Sequence, residues 1–386
     1  MIDTQQISAT SPRRPRRAPA ALAVLIGTLV GGAAASADEL KVTATIKPIH
    51  ALVAQVMEGV GSPSLLVKGA ASPHTFALKP SDARALHQAD VFFRVSETVE
   101  PFTTRIVEAL PESVRVVTLA ESPGIELLPI RRGETFEAHD HSHGHGESHD
   151  HDHHDHGKEK PAAHDHKHGH GHGHKHAHGD KHDHKVDNHA HRDHDHAHDH
   201  GHGHADTHAH APHEVDGHVW LDPHNARKML TEIARVLSEA APDHAETFRA
   251  NAARAATALD TLEADLARAA APLKGKPYVV FHDAYQYFER RFGLAPVGSI
   301  TLSPEVRPSA KRLTEIRRRL ATLKASCVFA EPQFQPRLVE AVTEGTTARA
   351  GTLDPEGALV EAGPAAYETL LRNLASGLKS CLAPQS

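Results

Sequence analysis

One low-complexity tract divides this chain and limits how it can fold. Of the 37 histidines, 30 lie between His139 and His213, in a run of His-Asp, His-Gly and His-Ala pairs with almost no large apolar residue. Such a segment buries too little apolar surface to offset the conformational entropy lost on ordering. We therefore expect this histidine tract, residues 139–213, to be a disordered loop insertion without metal, and the flanking sequence to form the folded protein.

The N-terminal 37 residues have the pattern of a cleavable export signal. An apolar run at 20–30 follows four arginines, and the small residues Ala35, Ser36 and Ala37 form an A-x-A cleavage site. The apolar run is too short to span a bilayer comfortably as a permanent helix. We expect residues 1–37 to be a signal peptide and the mature chain to be soluble and to work outside the cytoplasm.

Segments with strand and helix character alternate on both sides of the tract. Before it, strands are predicted at 41–46, 64–67, 91–95 and 114–119, and helices at 49–57, 81–87 and 101–109. After it, helices at 223–239 and 244–270 precede strands at 278–281, 295–300, 327–330 and 348–352, which alternate with helices at 284–291, 309–323, 336–342 and 365–378. This order predicts an α/β fold with two doubly wound lobes.

The domain boundaries follow from this alternation. Without the tract, the mature chain has about 275 residues, which suits two lobes better than one core. We predict an N-terminal lobe at 38–243, a linking helix at 244–271 and a C-terminal lobe at 272–386. A helix of that length extends ~40 Å. It could therefore join the lobes and limit their movement around a metal-binding cleft.

The only two cysteines are Cys327 and Cys381. An even count in an exported chain favours one disulfide, which would tie the C-terminal segment to a core strand. Free thiols and zinc ligands are the alternatives. The cysteines lie 54 residues apart without a CxxC pattern, which counts against a zinc site of the usual spacing.

Seven histidines lie outside the tract. Four occupy ordinary helical or helix-start positions and need no function: His50, His87, His224 and His244. The other three, His74, His218 and His282, lie in loops or at a strand end. Side chains at the carboxyl ends of parallel strands line the crevice where such folds bind ligands, and three imidazoles suit Zn²⁺. Each histidine alone could be a hydrogen-bonded loop residue, but together they predict a zinc site between the lobes.

Three carboxylates also follow predicted strands. Asp354 could be a fourth ligand or a turn residue before Pro355, and Glu331 is a weaker ligand candidate. Asp283, next to His282, could orient a ligand imidazole, although we favour a role as the cap of the following helix.

Seven motifs in order resemble the ZnuA-type zinc-binding components of bacterial ABC importers. They cover nearly the whole mature chain except the tract: IKPIH at 46–50, GAASPH at 69–74, LKPSD at 78–82, DGHVWL at 216–221, FHDAY at 281–285, FAEPQF at 329–334 and GTLDP at 351–355. The tract itself lies where that family carries a histidine-rich loop.

The resemblance implies a role for each candidate residue. His74, His218 and His282 match the three imidazole ligands, Asp354 matches the position where related proteins place a carboxylate ligand, and the two cysteines match the family's disulfide. Some members have a glutamate just before the first ligand histidine. Because this chain has Pro73 there, the fourth ligand is Asp354 or water. The resemblance also implies a monomeric zinc-binding protein of the periplasm, without enzymatic activity, which docks on an inner-membrane ABC permease with its ATPase.

The tract is expected to provide weak, exchangeable metal sites, because its imidazoles are largely neutral at pH 7 and closely spaced. It could relay metal to the cleft, buffer excess metal, or be a tolerated insertion, and acid would prevent it from binding metal. Its candidate secondary ligands include His139, His141, His143, His145, His166, His168, His170, His172, His196 and His198.

Three other functions compete with zinc import. A zinc hydrolase also uses three histidines and a water, but the chain has no HExxH motif and no obvious general base paired with a nucleophile. A manganese or iron importer would favour more carboxylates. A storage protein would need the tract but not the lobes. The formal charge of −7 gives no indication of nucleic-acid binding.

Overall fold

Two four-stranded parallel sheets form the framework of the protein, for which the computed structural model describes residues 40–131, 215–301, 303–304 and 306–383. The first sheet has the order β2-β1-β3-β4 and the second has the order β6-β5-β7-β8. The strands are β1 (Val42–Ala44), β2 (Ser64–Leu65), β3 (Val91–Arg94), β4 (Arg115–Thr118), β5 (Tyr278–His282), β6 (Gly298–Thr301), β7 (Cys327–Ala330) and β8 (Arg349–Thr352). The predicted α/β fold with two lobes is confirmed.

Each sheet reverses its strand order beside its first strand. In the second sheet, β5 lies between β6 and β7, so the chain leaves β5 toward one side and later returns on the other. Such a reversal opens a crevice at the carboxyl end of the central strand, where doubly wound folds bind ligands. His282 is the last residue of β5 and therefore lies at this crevice.

Nine helices appear in the described residues, close to their predicted positions. They are α1 (Lys47–Val56), α2 (Pro80–His87), α3 (Phe102–Ala109), α4 (Pro223–Ala240), α5 (Ala245–Ala270), α6 (Gln286–Phe292), α7 (Ala310–Leu323), α8 (Arg337–Thr343) and α9 (Ala366–Leu382). The long helix α5 lies between the two sheets in the sequence, as predicted for the linking helix. It buries one face that repeats at helical spacing, including Leu259, Leu262 and Leu266.

One apolar core extends through both lobes. It joins Ile46 and Phe93 of the first lobe to Trp220, and these to Tyr278 and Phe329 of the second. Because close-packed interiors resist deformation, a shared core favours small relative movements of the lobes. This agrees with the expectation drawn from the long helix.

A buried lysine adds polar contacts between the lobes. The Lys47 ammonium, at the start of α1, donates to the carbonyls of Gly357 (2.7 Å), Ala358 (2.7 Å) and Val360 (2.8 Å) in the loop after β8. Burial lowers the pKa of Lys47, and the charge of Asp354 opposes that shift. The three carbonyls satisfy all three donors of the ammonium and hold the second lobe's loop against the first lobe.

The predicted disulfide is confirmed, because Cys327 and Cys381 are bonded. The bond connects β7 to α9, so the C-terminal helix is held to a core strand, and neither thiol is available as a metal ligand. Among the described residues, no helix is both long enough and apolar enough to cross a membrane. The predicted signal peptide at 1–37 and the histidine tract at 139–213 lie outside the described residues.

Candidate metal centre

His74, His218 and His282 converge in the cleft between the lobes. Their ring centroids form a nearly equilateral triangle, with separations of 5.4 Å (His74–His218), 5.7 Å (His74–His282) and 5.3 Å (His218–His282). One ligand nitrogen from each ring lies within 4.8 Å of the other two. Residues separated by 144 and 64 positions in the sequence thus meet at one point.

His282 is oriented by a buried carboxylate. Its Nδ1 donates to both oxygens of Glu331 at 2.7 Å, and its backbone N–H donates to Oε1 at 3.3 Å. Glu331 follows β7, the neighbour of β5, so its side chain is adjacent to His282 at the same sheet edge. A proton fixed on Nδ1 leaves the Nε2 lone pair directed toward the cleft, where it can bind a metal ion.

His218 has the same kind of support from a residue much closer in sequence. Asp216 Oδ1 accepts from the Nδ1 of His218 at 2.7 Å and from its backbone N–H at 3.0 Å. Between them, Gly217 approaches another loop so closely that an added Cβ would lie 2.5 Å from Val99 Cγ2 and 2.9 Å from Ser96 Oγ. The segment therefore requires glycine at this position to bring His218 to its place.

His74 comes from a different kind of element. It is the middle residue of a 3₁₀ turn, Pro73–Thr75, which begins with proline, and it is half-buried. Burial, followed by the charges of His218 and His282, lowers the pKa of His74 to about 2. This imidazole is therefore neutral at physiological pH, as a metal ligand must be.

The separation of two of the ligand nitrogens fits a tetrahedral zinc ion. Two nitrogens bound to Zn²⁺ at ~2.0–2.1 Å in tetrahedral geometry lie about 3.4 Å apart. The Nε2 atoms of His218 and His282 are 3.4 Å apart. The buried carboxylates of Asp216 and Glu331, which accept from these two imidazoles, also supply negative charge that offsets part of the charge of a divalent cation.

Asp354 lies outside the histidine group in the described structure. One of its oxygens accepts from the Gln333 side chain at 3.1 Å and the other from the Leu359 backbone N–H at 3.0 Å. These contacts fit the interpretation of Asp354 as a turn residue. Its role as a fourth ligand stays a prediction, with water as the alternative.

Two carboxylates near His282 differ in role from what the sequence suggested. Glu331 accepts from Nδ1 of His282, whereas Nε2 of the same ring faces His218, so Glu331 orients a candidate ligand. The expectation that Asp283 caps the following helix is wrong: α6 begins only at Gln286, with Tyr285 at its N-cap position. The chain first turns after β5, and Asp283 instead forms an ion pair with Arg131, at 3.6 Å.

The other four histidines outside the tract have ordinary surroundings, as predicted. His50 Nε2 lies 3.0 Å from the carbonyl of Pro63, and the His224 backbone N–H donates to Asp222 at the start of α4. His87 and His244 are exposed. None of these four contributes to the histidine group.

The surroundings of His282 predict how metal binding depends on pH. Burial alone lowers the pKa of His282, but the charge and hydrogen bond of Glu331 outweigh it and raise the pKa above its ordinary value. When His282 is charged, its Nε2 carries a proton that the metal must displace. Zinc affinity at the cleft should therefore be at its maximum above that raised pKa, and should fall about tenfold per pH unit as the pH drops below it. Calorimetry in buffers of different ionisation enthalpy should detect proton release on zinc binding.

Comparison with known proteins gives consistent matches along the chain. The sequence profile described as "Zinc-uptake complex component A periplasmic" (ZnuA) matches residues 42–381. The "High-affinity zinc uptake system protein ZnuA" of Brucella abortus is 42% identical over 351 residues, which cover 91% of this chain and 94% of that protein. The protein of the same name from Paracoccus denitrificans is 37% identical, with 94% and 97% covered.

Solved structures show the same fold. A crystal structure of ZnuA superposes with a TM-score of 0.62 at 20% identity, covering 90% of this chain and 100% of that one. The periplasmic zinc-binding protein TroA from Treponema pallidum gives a TM-score of 0.62 at 18% identity, with the same coverage. On the evidence of the profile and of the relatives above 30% identity, this chain belongs to the ZnuA family of periplasmic zinc-uptake components.

Proposed function

We propose that this chain captures Zn²⁺ in the cleft between its lobes and delivers it to the permease of an ABC-type zinc uptake system. The observation that carries the proposal is the convergence of three imidazoles, two of them oriented by buried carboxylates. His74, His218 and His282 bind the ion, and Asp354 or a water completes the coordination. The high-affinity zinc uptake function named for the relatives agrees with this donor set.

The protein is a binding component and not an enzyme, as is typical of the ZnuA family. A zinc hydrolase would need an open coordination position next to a general base. Here the two carboxylates closest to the histidines are hydrogen-bonded to ligand nitrogens on the side away from the metal. They are thus committed to orienting the imidazoles.

The remaining sequence predictions belong to the same proposal. We propose an export signal at 1–37, an N-terminal lobe at 38–243, a linking helix at 244–271 and a C-terminal lobe at 272–386. The mature protein works as a monomer in the periplasm, together with an inner-membrane permease and its ATPase. The histidine tract binds metal weakly, whether it relays zinc to the cleft or buffers it.

Growth under zinc limitation tests this function. A bacterium without its own zinc-binding component, supplied with this chain and its permease, should regain growth and ⁶⁵Zn uptake in chelator-treated medium. A variant in which His74, His218 and His282 are all alanine should not restore either. Restoration by manganese supplementation alone, or equal uptake by the triple variant, would contradict the proposal.

A further inference from the structure

We infer that Arg131 and Tyr287 form a clasp at the mouth of the metal pocket, and that this clasp sets how fast metal leaves. The inference rests on the proposed function, because it concerns metal held by His74, His218 and His282. Two short segments lie on either side of the histidine tract in the sequence: the exit segment (residues 128–131), which precedes it, and the return segment (residues 215–218), which follows it.

The exit and return segments lie side by side. The Asp216 backbone N–H donates to the Leu128 carbonyl at 2.8 Å, and Pro129 pairs with Val215 as an isolated antiparallel bridge. The return segment ends in His218, a proposed ligand. Any force that holds the exit segment therefore also acts on the backbone that carries this ligand.

Helix α6 of the second lobe holds both segments through one hydroxyl group. Tyr287 Oη accepts from the Leu128 backbone N–H at 3.0 Å and donates to the Asp216 carbonyl at 2.7 Å. Tyr287 is buried, so water does not compete freely for these bonds. The second lobe thus holds the backbone carbonyl of Asp216, the same residue whose carboxylate orients His218.

Arg131 adds a charged contact at the end of the exit segment. Its guanidinium donates to the carboxylate of Glu289, also on α6, and lies 3.6 Å from Asp283 Oδ1. The Glu289 side chain is only 4% exposed. Removing one partner of so buried a pair leaves the other charge uncompensated, which is strongly unfavourable. The exit segment is therefore firmly attached to the second lobe.

The Arg131 end of the clasp borders the metal site directly. Ile130, Arg131 and Val215 line the same cavity as the three histidines, together with Asp283, Ser303 and Pro304.

His282 belongs to the second lobe, whereas His218 is held through Asp216 by the clasp. Separation of α6 from the exit and return segments would withdraw His218 from His282. Metal release requires this separation, and Arg131 and Tyr287 are therefore positioning residues for metal exchange.

Stopped-flow dissociation of zinc into excess chelator tests the clasp in the mature full-length protein. The slow phase that disappears in His74→Ala belongs to the cleft. Arg131→Gln and Tyr287→Phe should each increase the rate of that phase at least tenfold, and Arg131→Lys should restore part of the difference. Because Tyr287→Phe keeps the ring and removes only the hydroxyl, it tests the inference even if Arg131→Gln folds poorly.

Arg291→Gln provides a matched control. Arg291 is also on α6 and makes a two-bond ion pair with Asp222 of the first lobe, at 2.8 and 2.7 Å. Its other ion pairs are with Glu126 and Glu263, so its polar contacts lie outside the exit and return segments. This variant should leave the slow phase within about twofold of wild type. An equal acceleration in Arg291→Gln, or no acceleration in either clasp variant, would overturn the inference. A wild-type protein without a slow phase would instead refute the proposed zinc function.

Discussion

Replacing His74 with alanine should lower zinc affinity at the cleft by about 10²–10³-fold. Zinc sites with four protein ligands have binding free energies of ~10–16 kcal/mol, so one ligand accounts for roughly 2.5–4 kcal/mol. His74 is the best of the three positions for this test. It is half-buried and lies in a short turn, so its loss should disturb the fold least.

Competition titration against a fluorescent zinc chelator measures this effect. His218→Ala and His282→Ala should lose at least as much affinity, and each would also leave a buried carboxylate without its imidazole partner, Asp216 or Glu331. His244→Ala is the matched control, because His244 is exposed and lies outside the histidine group. If His74→Ala bound zinc as tightly as His244→Ala, the assignment of His74 as a ligand would be wrong.

Glu331→Gln should weaken zinc binding by about 10–100-fold, as is typical when the hydrogen-bond partner of a ligand histidine is changed. The amide can still accept from His282 Nδ1, so the ring stays in place, but the negative charge is lost. That charge makes the imidazole a better donor and offsets part of the charge of the metal. The same competition titration at neutral pH measures the deficit.

The pH dependence distinguishes this electrostatic role from simple misfolding. Glu331 raises the pKa of His282, so its neutralisation should lower that pKa and reduce competition from protons. The affinity deficit of Glu331→Gln should therefore shrink as the pH falls. Glu58→Gln removes an exposed carboxylate paired with Arg254 and should show no deficit. A deficit that is constant across pH would contradict the proposed role of Glu331.

The sequence contained enough information for the framework of this protein. Strand and helix periodicity predicted both sheets and the long helix, because these elements depend on local patterns of apolar residues. The convergence of the three histidines was also predictable, since a residue at a strand end, such as His282, must lie at the ligand-binding edge of a parallel sheet. The cysteine count favoured a disulfide, and the structure confirms the bond between Cys327 and Cys381.

Several contacts around the site were not predictable. Arg131 meets Glu289 across 158 positions, and no periodicity or motif signals such a pair. Glu331 reaches His282 because β5 and β7 are neighbours, which the order of strands in the sequence does not reveal. Asp216 is the exception: an aspartate two residues before a candidate ligand could have indicated a local turn that orients the imidazole.

We expect tight zinc binding to belong to the folded lobes and not to the histidine tract. Zinc titration of the mature chain without residues 139–213 separates these two possibilities. One tightly bound ion per chain is expected, with an affinity close to that of the intact protein, and this site should be lost when His74 or His282 is replaced by alanine. Tight binding that disappeared together with the tract, or that survived both substitutions, would show that the three histidines do not form the tight site.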